Sequence, residues 1–286
     1  MVKDALSFAG PFAFLSMRFA LATVLLAPAL LWARQRAAVD GPLARAGGVL
    51  GALLCAGYGF QTAGLQLTTP ARAAFITGLS VVVVPMLTGL ALHRPVARGV
   101  WVGVCLATAG LALLSLGPEL LAGHGRLVDP QTLIGDLLVL GCAFVFGGHV
   151  FMAGEYAPRF EAFSLTTIQL AVATALATLV AAGFEQPRLD QLGPILPAAA
   201  FTGVFATVLA FTIQLRAQRF TSATHTALVF ATEPVFGALF AYLLAGEVLA
   251  PPAVVGCLLI LAGMLVAQFG ETKAVQRAAP AVQRAQ

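Results

Sequence analysis

Residues 221–249 read TSATHTALVFATEPVFGALFAYLLAGEVL. The stretch is almost wholly apolar, yet an acid, Glu233, sits in its middle and Pro234 follows directly. A bilayer is crossed by about 20 mostly apolar residues in a helix, and this run is long enough. The acid and the proline predict a spanning helix that is polar and locally opened halfway along. A second stretch, 69–92 with Pro85, is a partial echo of the first.

The rest of the chain has the same character. Of its 286 residues, 59% are hydrophobic and 10% are charged, against about 25% charged in a soluble domain. A surface so poor in charge does not stay in water, so the prediction is an all-α polytopic protein embedded in a lipid bilayer. The net charge of +4 is small and the basic residues fall between apolar runs, which argues against nucleic acid as a partner. Cys55, Cys105, Cys142 and Cys257 each lie inside an apolar run without metal-ligand spacing. They read as small packing residues, and neither a metal nor another cofactor is expected. Residues 1–10 lack the pattern of a cleavable signal peptide.

Nine segments reach spanning length: 11–33, 46–67, 71–92, 99–116, 133–152, 163–182, 195–215, 223–245 and 253–269. The breaks between them are short and polar or marked by Pro and Gly. The longest, 117–131, reads as the joint between two halves, 1–116 and 133–270, and 271–286 as a disordered polar cytoplasmic tail. With the C-terminus inside, eleven basic residues fall on the inner side (Arg34, Arg36, Arg45, Arg94, Arg98, Arg159, Arg216, Arg219, Lys273, Arg277, Arg284). Four fall outside (Lys3, Arg72, Arg126, Arg188). This bias orients the chain in a cell's inner membrane.

The two halves repeat. Gly103, Gly110 and Gly117 lie seven residues apart, as do Gly256, Gly263 and Gly270, at a shift of 153 (256 − 103). A shift of 152 matches Gln66, Thr69 and Ala71 with Gln218, Thr221 and Ala223. The second half then holds five helices and the first half four. The plan expected is ten helices with the first apparently missing, and a five-helix unit repeats upside down, as in many transporters. The glycine stripes predict close helix packing.

Several stretches resemble the drug/metabolite transporter superfamily, specifically permeases with two EamA-type repeats. Gly10-Pro11 with Met17-Arg18-Phe19-Ala20 resembles the family's second helix. Residues 69–79, TPARAAFITGL, with Pro85 beyond, resemble its fourth, and Thr221-Ser222-Ala223 through Glu233-Pro234 to Gly246-Glu247 its ninth. The resemblance covers about residues 2–269. Lys3-Asp4-Ala5-Leu6, which family members carry after a first helix, here opens the chain. The resemblance implies a secondary transporter exporting small metabolites or amino acids by alternating access. The alternative is a truncated or non-transporting membrane scaffold of the same fold. A membrane enzyme is not expected, since the four His are scattered and no acids are paired.

Glu233 is the sharpest site candidate, because an acid at a helix centre needs a partner or a cavity. Proton coupling through it is one expected role, and Arg18, within about one turn of the same depth, is an expected partner. Pro85 and Pro234 are expected to break their helices and free the carbonyls of Val81 and Phe230. Tyr58 and Gln61, and Thr77 and Ser80, are three residues apart and share helix faces. With His149 and Gln169 they complete a candidate cavity for a small amphipathic solute. Thr212 and Gln214 are further intramembrane polar residues, and His225, near the inner end of its helix, is a weaker candidate. Glu247 and Trp32 read as interfacial residues.

Overall fold

The computed structural model describes residues 9–34, 40–91, 93, 96–121, 130–185, 189–245 and 250–283. Among them all regular structure is helical. The first half contains α1 (Pro11–Arg34), α2 (Gly41–Leu65), α3 (Pro70–Gly78), α4 (Ser80–Ala91) and α5 (Arg98–Leu121). The second contains α6 (Pro130–Tyr156), α7 (Ala162–Val180), α8 (Leu189–Gly203), α9 (Ala210–Ala217), α10 (Ala223–Phe230), α11 (Glu233–Ala245) and α12 (Pro251–Gln283). Two π-helical turns, Ala181–Glu185 and Val204–Leu209, extend α7 and join α8 to α9.

Eight of the nine expected segments form helices long and apolar enough to cross a membrane. The remaining one, 223–245, is divided into α10 and α11 by the two residues Ala231–Thr232, while 70–91, divided into α3 and α4 at the single residue Leu79, still counts among the eight. Residues 271–283, expected to be a disordered tail, instead continue α12. Their Glu, Lys, Ala, Gln and Arg residues are good helix formers. Helix starts follow local chemistry. Asp40 accepts from the Leu43 N–H and Thr69 from the Arg72 N–H, each with a proline just inside the helix.

The helices form two compact units, and each takes helices from both halves of the sequence. One comprises Met1–Thr68 and Gln131–Ser222, the other Thr69–Pro130 and Ala223–Gln286.

In the second unit the glycine stripes of α5 and α12 face each other. A Cβ on Gly103 would run into the Gly263 carbonyl and Ala267, and one on Gly110 would lie 2.6 Å from the Gly256 carbonyl oxygen. The reciprocal contacts match: Gly263 against the Gly103 carbonyl and Ala107, Gly256 against the Gly110 carbonyl and Leu114. Every contact maps onto another when 153 is added to one partner and subtracted from the other. That reciprocity is the mark of a two-fold axis relating antiparallel helices. Lipid supplies no hydrophobic drive for helix association, so this backbone-to-backbone approach is what holds the pair.

The interruptions obey the same shift. Leu79 N–H bonds the Ile76 carbonyl, and the Leu79 carbonyl accepts from Val82 and Val83. Thr232 N–H bonds the Val229 carbonyl, and the Thr232 carbonyl accepts from Val235 and Phe236. Each number rises by 153, and the next residues, Ser80 and Glu233, each begin a new helix. The interruptions therefore lie at Leu79 and at Ala231–Thr232, in register, and not at the two prolines, which are out of register. Pro234 is the second residue of α11, where its missing N–H costs no intrahelical bond. Pro85 lies inside α4.

In the first unit α1 and α7 are mates at a shift of 151. Thr23 and Thr174 (174 − 23 = 151) meet hydroxyl to hydroxyl at 3.2 Å. Each also donates back one turn, to the Phe19 and Leu170 carbonyls at 2.8 Å. A Cβ on Gly51 would run into the Gln169 carbonyl and Val172, while one on Gly203 would lie 3.1 Å from the Arg18 carbonyl and 3.9 Å from Leu21. Gly51 and Gly203 differ by 152, Arg18 and Gln169 by 151, Leu21 and Val172 by 151. The core around this pairing includes Phe14, Leu15, Phe19, Leu54, Leu170 and Ile195.

Candidate functional site

Arg18 is carried by α1 into the middle of the first unit and is 5% exposed. Its Nε donates to Thr207 Oγ1 at 2.8 Å, and its Nη2 to Tyr58 Oη and the Ala206 carbonyl at 3.1 Å each. Its Cζ stands 4.4 Å from the centre of the Tyr58 ring. The acceptors on the α8–α9 side come from the π turn Val204–Leu209. The widened turn brings Ala206 O and Thr207 Oγ1 to one guanidinium edge, and Thr207 Oγ1 itself donates to the Thr202 carbonyl at 3.0 Å. Single π turns inside helices are frequent at functional sites.

A buried arginine at a helix centre costs about 2.5–3.5 kcal/mol on insertion scales. Hydrogen bonds to a charged group are worth about 1.5–3 kcal/mol each, and a desolvated cation–π contact about 2 kcal/mol. The neutral partners therefore offset the cost of burial, but they leave the charge uncancelled. None of the groups bonded to Arg18 among the described residues of this unit is acidic, and the bonds run from Nε and Nη2. What remains is a positive end held rigidly in an apolar surround.

That surround is aromatic. The Tyr58 ring meets Phe19, Phe146 and Phe211 edge-on, with centroids 5.6, 5.0 and 6.3 Å away. Phe211 in turn meets the His149 ring at 5.6 Å. His149, 1% exposed, lies with Nε2 3.1 Å from Gln169 Oε1. A carboxamide oxygen only accepts, so Nε2 carries the proton in this pair. Gln169 is fully buried and its Nε2 has no partner among the described residues, and neither has Thr212 Oγ1. An unpaired buried donor costs about 1–3 kcal/mol.

Four of the expected site residues, Arg18, Tyr58, His149 and Gln169, thus belong to one continuous cluster. Gln61 stands one turn beyond Tyr58 on α2 and is half-buried. Gln214 lies in a neighbouring ladder, donating to Gln218 Oε1 at 3.1 Å, while Gln218 donates to the Val150 carbonyl at 2.9 Å. Thr77, Ser80, Glu233, His225, Pro85 and Pro234 belong to the second unit. Glu233 is exposed and opens α11, where the positive end of the helix favours a carboxylate. Glu247 and the side chain of Trp32 lie outside the described residues.

Sequence reasoning did not find Thr207, Phe146 or Phe211, since no pattern in the residues marks the π turn. Nor did it find Asp136, an acid inside the 133–152 segment that accepts from Thr68 Oγ1 at 2.7 Å. Glu185, read as part of a polar break, caps α1 instead. Its oxygens accept from the Phe12 and Ala13 N–H groups at 2.9 and 2.8 Å.

An all-helical chain with repeated membrane spans, mated antiparallel helices and buried polar side chains is built as a multi-pass membrane transporter. The chain belongs to the EamA-like transporter family, which matches residues 1–116 and 133–268. It is similar to an uncharacterized transporter of Archaeoglobus fulgidus, 29% identical over 266 residues, covering 93% of this chain and 79% of that protein. A protein of known crystal structure, 19% identical, superposes with a TM-score of 0.75 over 94% of this chain and 92% of its own, and so shares the fold.

Proposed function

We propose that the protein is a secondary transporter that exports small metabolites or amino acids by alternating access, and that Arg18 receives an acidic group of the solute. The observation that carries this reading is the buried guanidinium whose hydrogen-bond partners in its unit, among the described residues, are all neutral. A carboxylate brought by the solute would supply the missing negative charge in a low-dielectric surround, where such a contact is strongest. Tyr58, with Gln61 one turn away, borders the solute at Arg18, and His149 and Gln169 continue the same cluster beyond it. Within the second unit, Thr77, Ser80 and Glu233 lie beside the helix interruptions, where non-helical backbone belongs beside a cavity. Glu233 is the group for proton coupling. The basic residues support an inner-membrane location with the C-terminus in the cytoplasm.

Efflux from proteoliposomes loaded with single radiolabelled amino acids or benzoate tests the reading. Arg18→Gln should reduce efflux about tenfold or more, the size of one charge-assisted hydrogen bond. Glu233→Gln should remove acceleration by a proton gradient while leaving exchange at equal pH. Unchanged efflux in Arg18→Gln would remove the assignment.

A further inference from the structure

Arg18 has a counterpart in the other half. The reciprocal contacts Gly51–Gln169 and Gly203–Arg18, and the Thr23–Thr174 contact between them, put Gln169 in α7 where Arg18 stands in α1. Each lies five residues before its threonine on antiparallel helices. The two polar groups are therefore roughly 15 Å apart along the helix pair, at about 1.5 Å per residue. They are joined through the rings of Tyr58, Phe211 and His149.

Their surroundings differ in one respect. The backbone beside Arg18 is a π turn, Val204–Leu209, which presents Ala206 O and Thr207 Oγ1. The corresponding backbone, 52–57 at the shift of 152, is ordinary α-helix within α2. In an α-helix the carbonyls are taken by N–H groups one turn on, so the Gln169 amide finds no acceptor there. Gln169 is also 0% exposed, which leaves no water-sized space beside its unpaired Nε2. The donor is closed in without a partner among the described residues, as is the Thr212 hydroxyl. His149 holds the amide by its oxygen and leaves the nitrogen directed elsewhere.

Two mates with like positions and unlike local backbone are what an inverted repeat shows when it is captured in one of two access states. Exchange of the two local conformations would open the Gln169 side. We infer that Gln169 is a solute-contacting residue of the opposite access state, where its amide N–H takes an oxygen of the same carboxylate that Arg18 binds. The solute meets a charged donor at one station and a neutral donor at the other. The inference rests on the Arg18 reading, and the ligand class is a small organic carboxylate.

The test uses the purified full chain and a panel of acetate, benzoate and the twenty L-amino acids. Each is measured by its effect on melting temperature in detergent and by counterflow in proteoliposomes. Gln169→Met preserves size without a donor, and Gln169→Glu preserves the acceptor for His149 without the amide. In Gln169→Met the carboxylate-dependent rise in melting temperature should persist while counterflow falls about tenfold or more. Gln169→Glu should fail to restore counterflow. Wild-type counterflow in Gln169→Met would show that the side chain is dispensable, and wild-type counterflow in Gln169→Glu alone that it only holds His149; either result would overturn the inference with Arg18 intact. If no member of the panel stabilises the native chain, or if Arg18→Gln keeps the stabilisation, the Arg18 reading fails first and this one with it.

Discussion

Arg18 shows what a fork of donors does that a point charge cannot. Nε and Nη2 serve Thr207, Tyr58 and Ala206 together, and Cζ stands 4.4 Å from the centre of the Tyr58 ring. Arg18→Lys keeps the charge but cannot reach these acceptors together. Transport should fall about tenfold, and the variant should lose about 1.5–3 kcal/mol of stability per lost bond, read from detergent melting curves. Tyr58→Phe keeps the ring beneath the guanidinium and loses one acceptor, so a smaller loss of about 0.5–1.5 kcal/mol is expected. The intramembrane charge at position 18 was legible, because a lone arginine in an apolar run demands explanation. Its acceptors were not, since Thr207 and Ala206 are 189 and 188 residues away. They are useful only because the backbone there opens into a π turn. The expected partner, Glu233, belongs to the other unit.

Elements are joined at their ends and along their glycine faces. Gly10 and Glu161 correspond at the shift of 151, and so do the N–H groups they stand before, Phe12 with Phe163 and Ala13 with Ser164. In α7 the cap is local: Glu161 accepts from Phe163 and Ser164 at 3.0 and 2.7 Å. In α1 the same two bonds come from Glu185, whose carboxylate fills the space a Gly10 side chain would need. Gly10→Ala should therefore expel the Glu185 carboxylate and cost about 0.5–2 kcal/mol, the worth of a helix cap. A melting curve that Gly10→Ala leaves unchanged would refute the tie. Along the faces, Gly110→Ala sets a methyl 2.6 Å from a backbone oxygen and should cost about 1–3 kcal/mol. Gly237→Ala, with nothing within 4 Å, should be neutral or gain up to about 1 kcal/mol from helix propensity. Gel filtration and melting curves of the two variants separate them.

The whole chain is organised by repeats that slip one residue at a time, 151 at α1 and α7, 152 at α2, 153 from the interruptions onward. Each unit draws helices from both repeats, so neither unit corresponds to a continuous half of the sequence. The orientation proposed from the basic residues places the C-terminus inside. A C-terminal fluorescent reporter should fold and emit, and a C-terminal phosphatase should be inactive. The opposite pair of results would invert the topology. The family, the number of apolar segments and the equal glycine spacing were readable without a structure, since each depends on length, hydropathy or period along one chain.

The sequence by itself determined that this is an all-helical membrane protein made of two related halves. Lipid admits few folds, and apolar length and small-residue spacing report directly on them. The tertiary structure alone decided which polar side chains meet. That depends on the rotation and slide of each helix against its neighbours, to which residues from both repeats contribute. Leu79 and Thr232 mark where the helices part, although the prolines drew attention first. The Gln169 amide is left unpaired by its neighbours' backbone, which no reading of residue 169 alone could show.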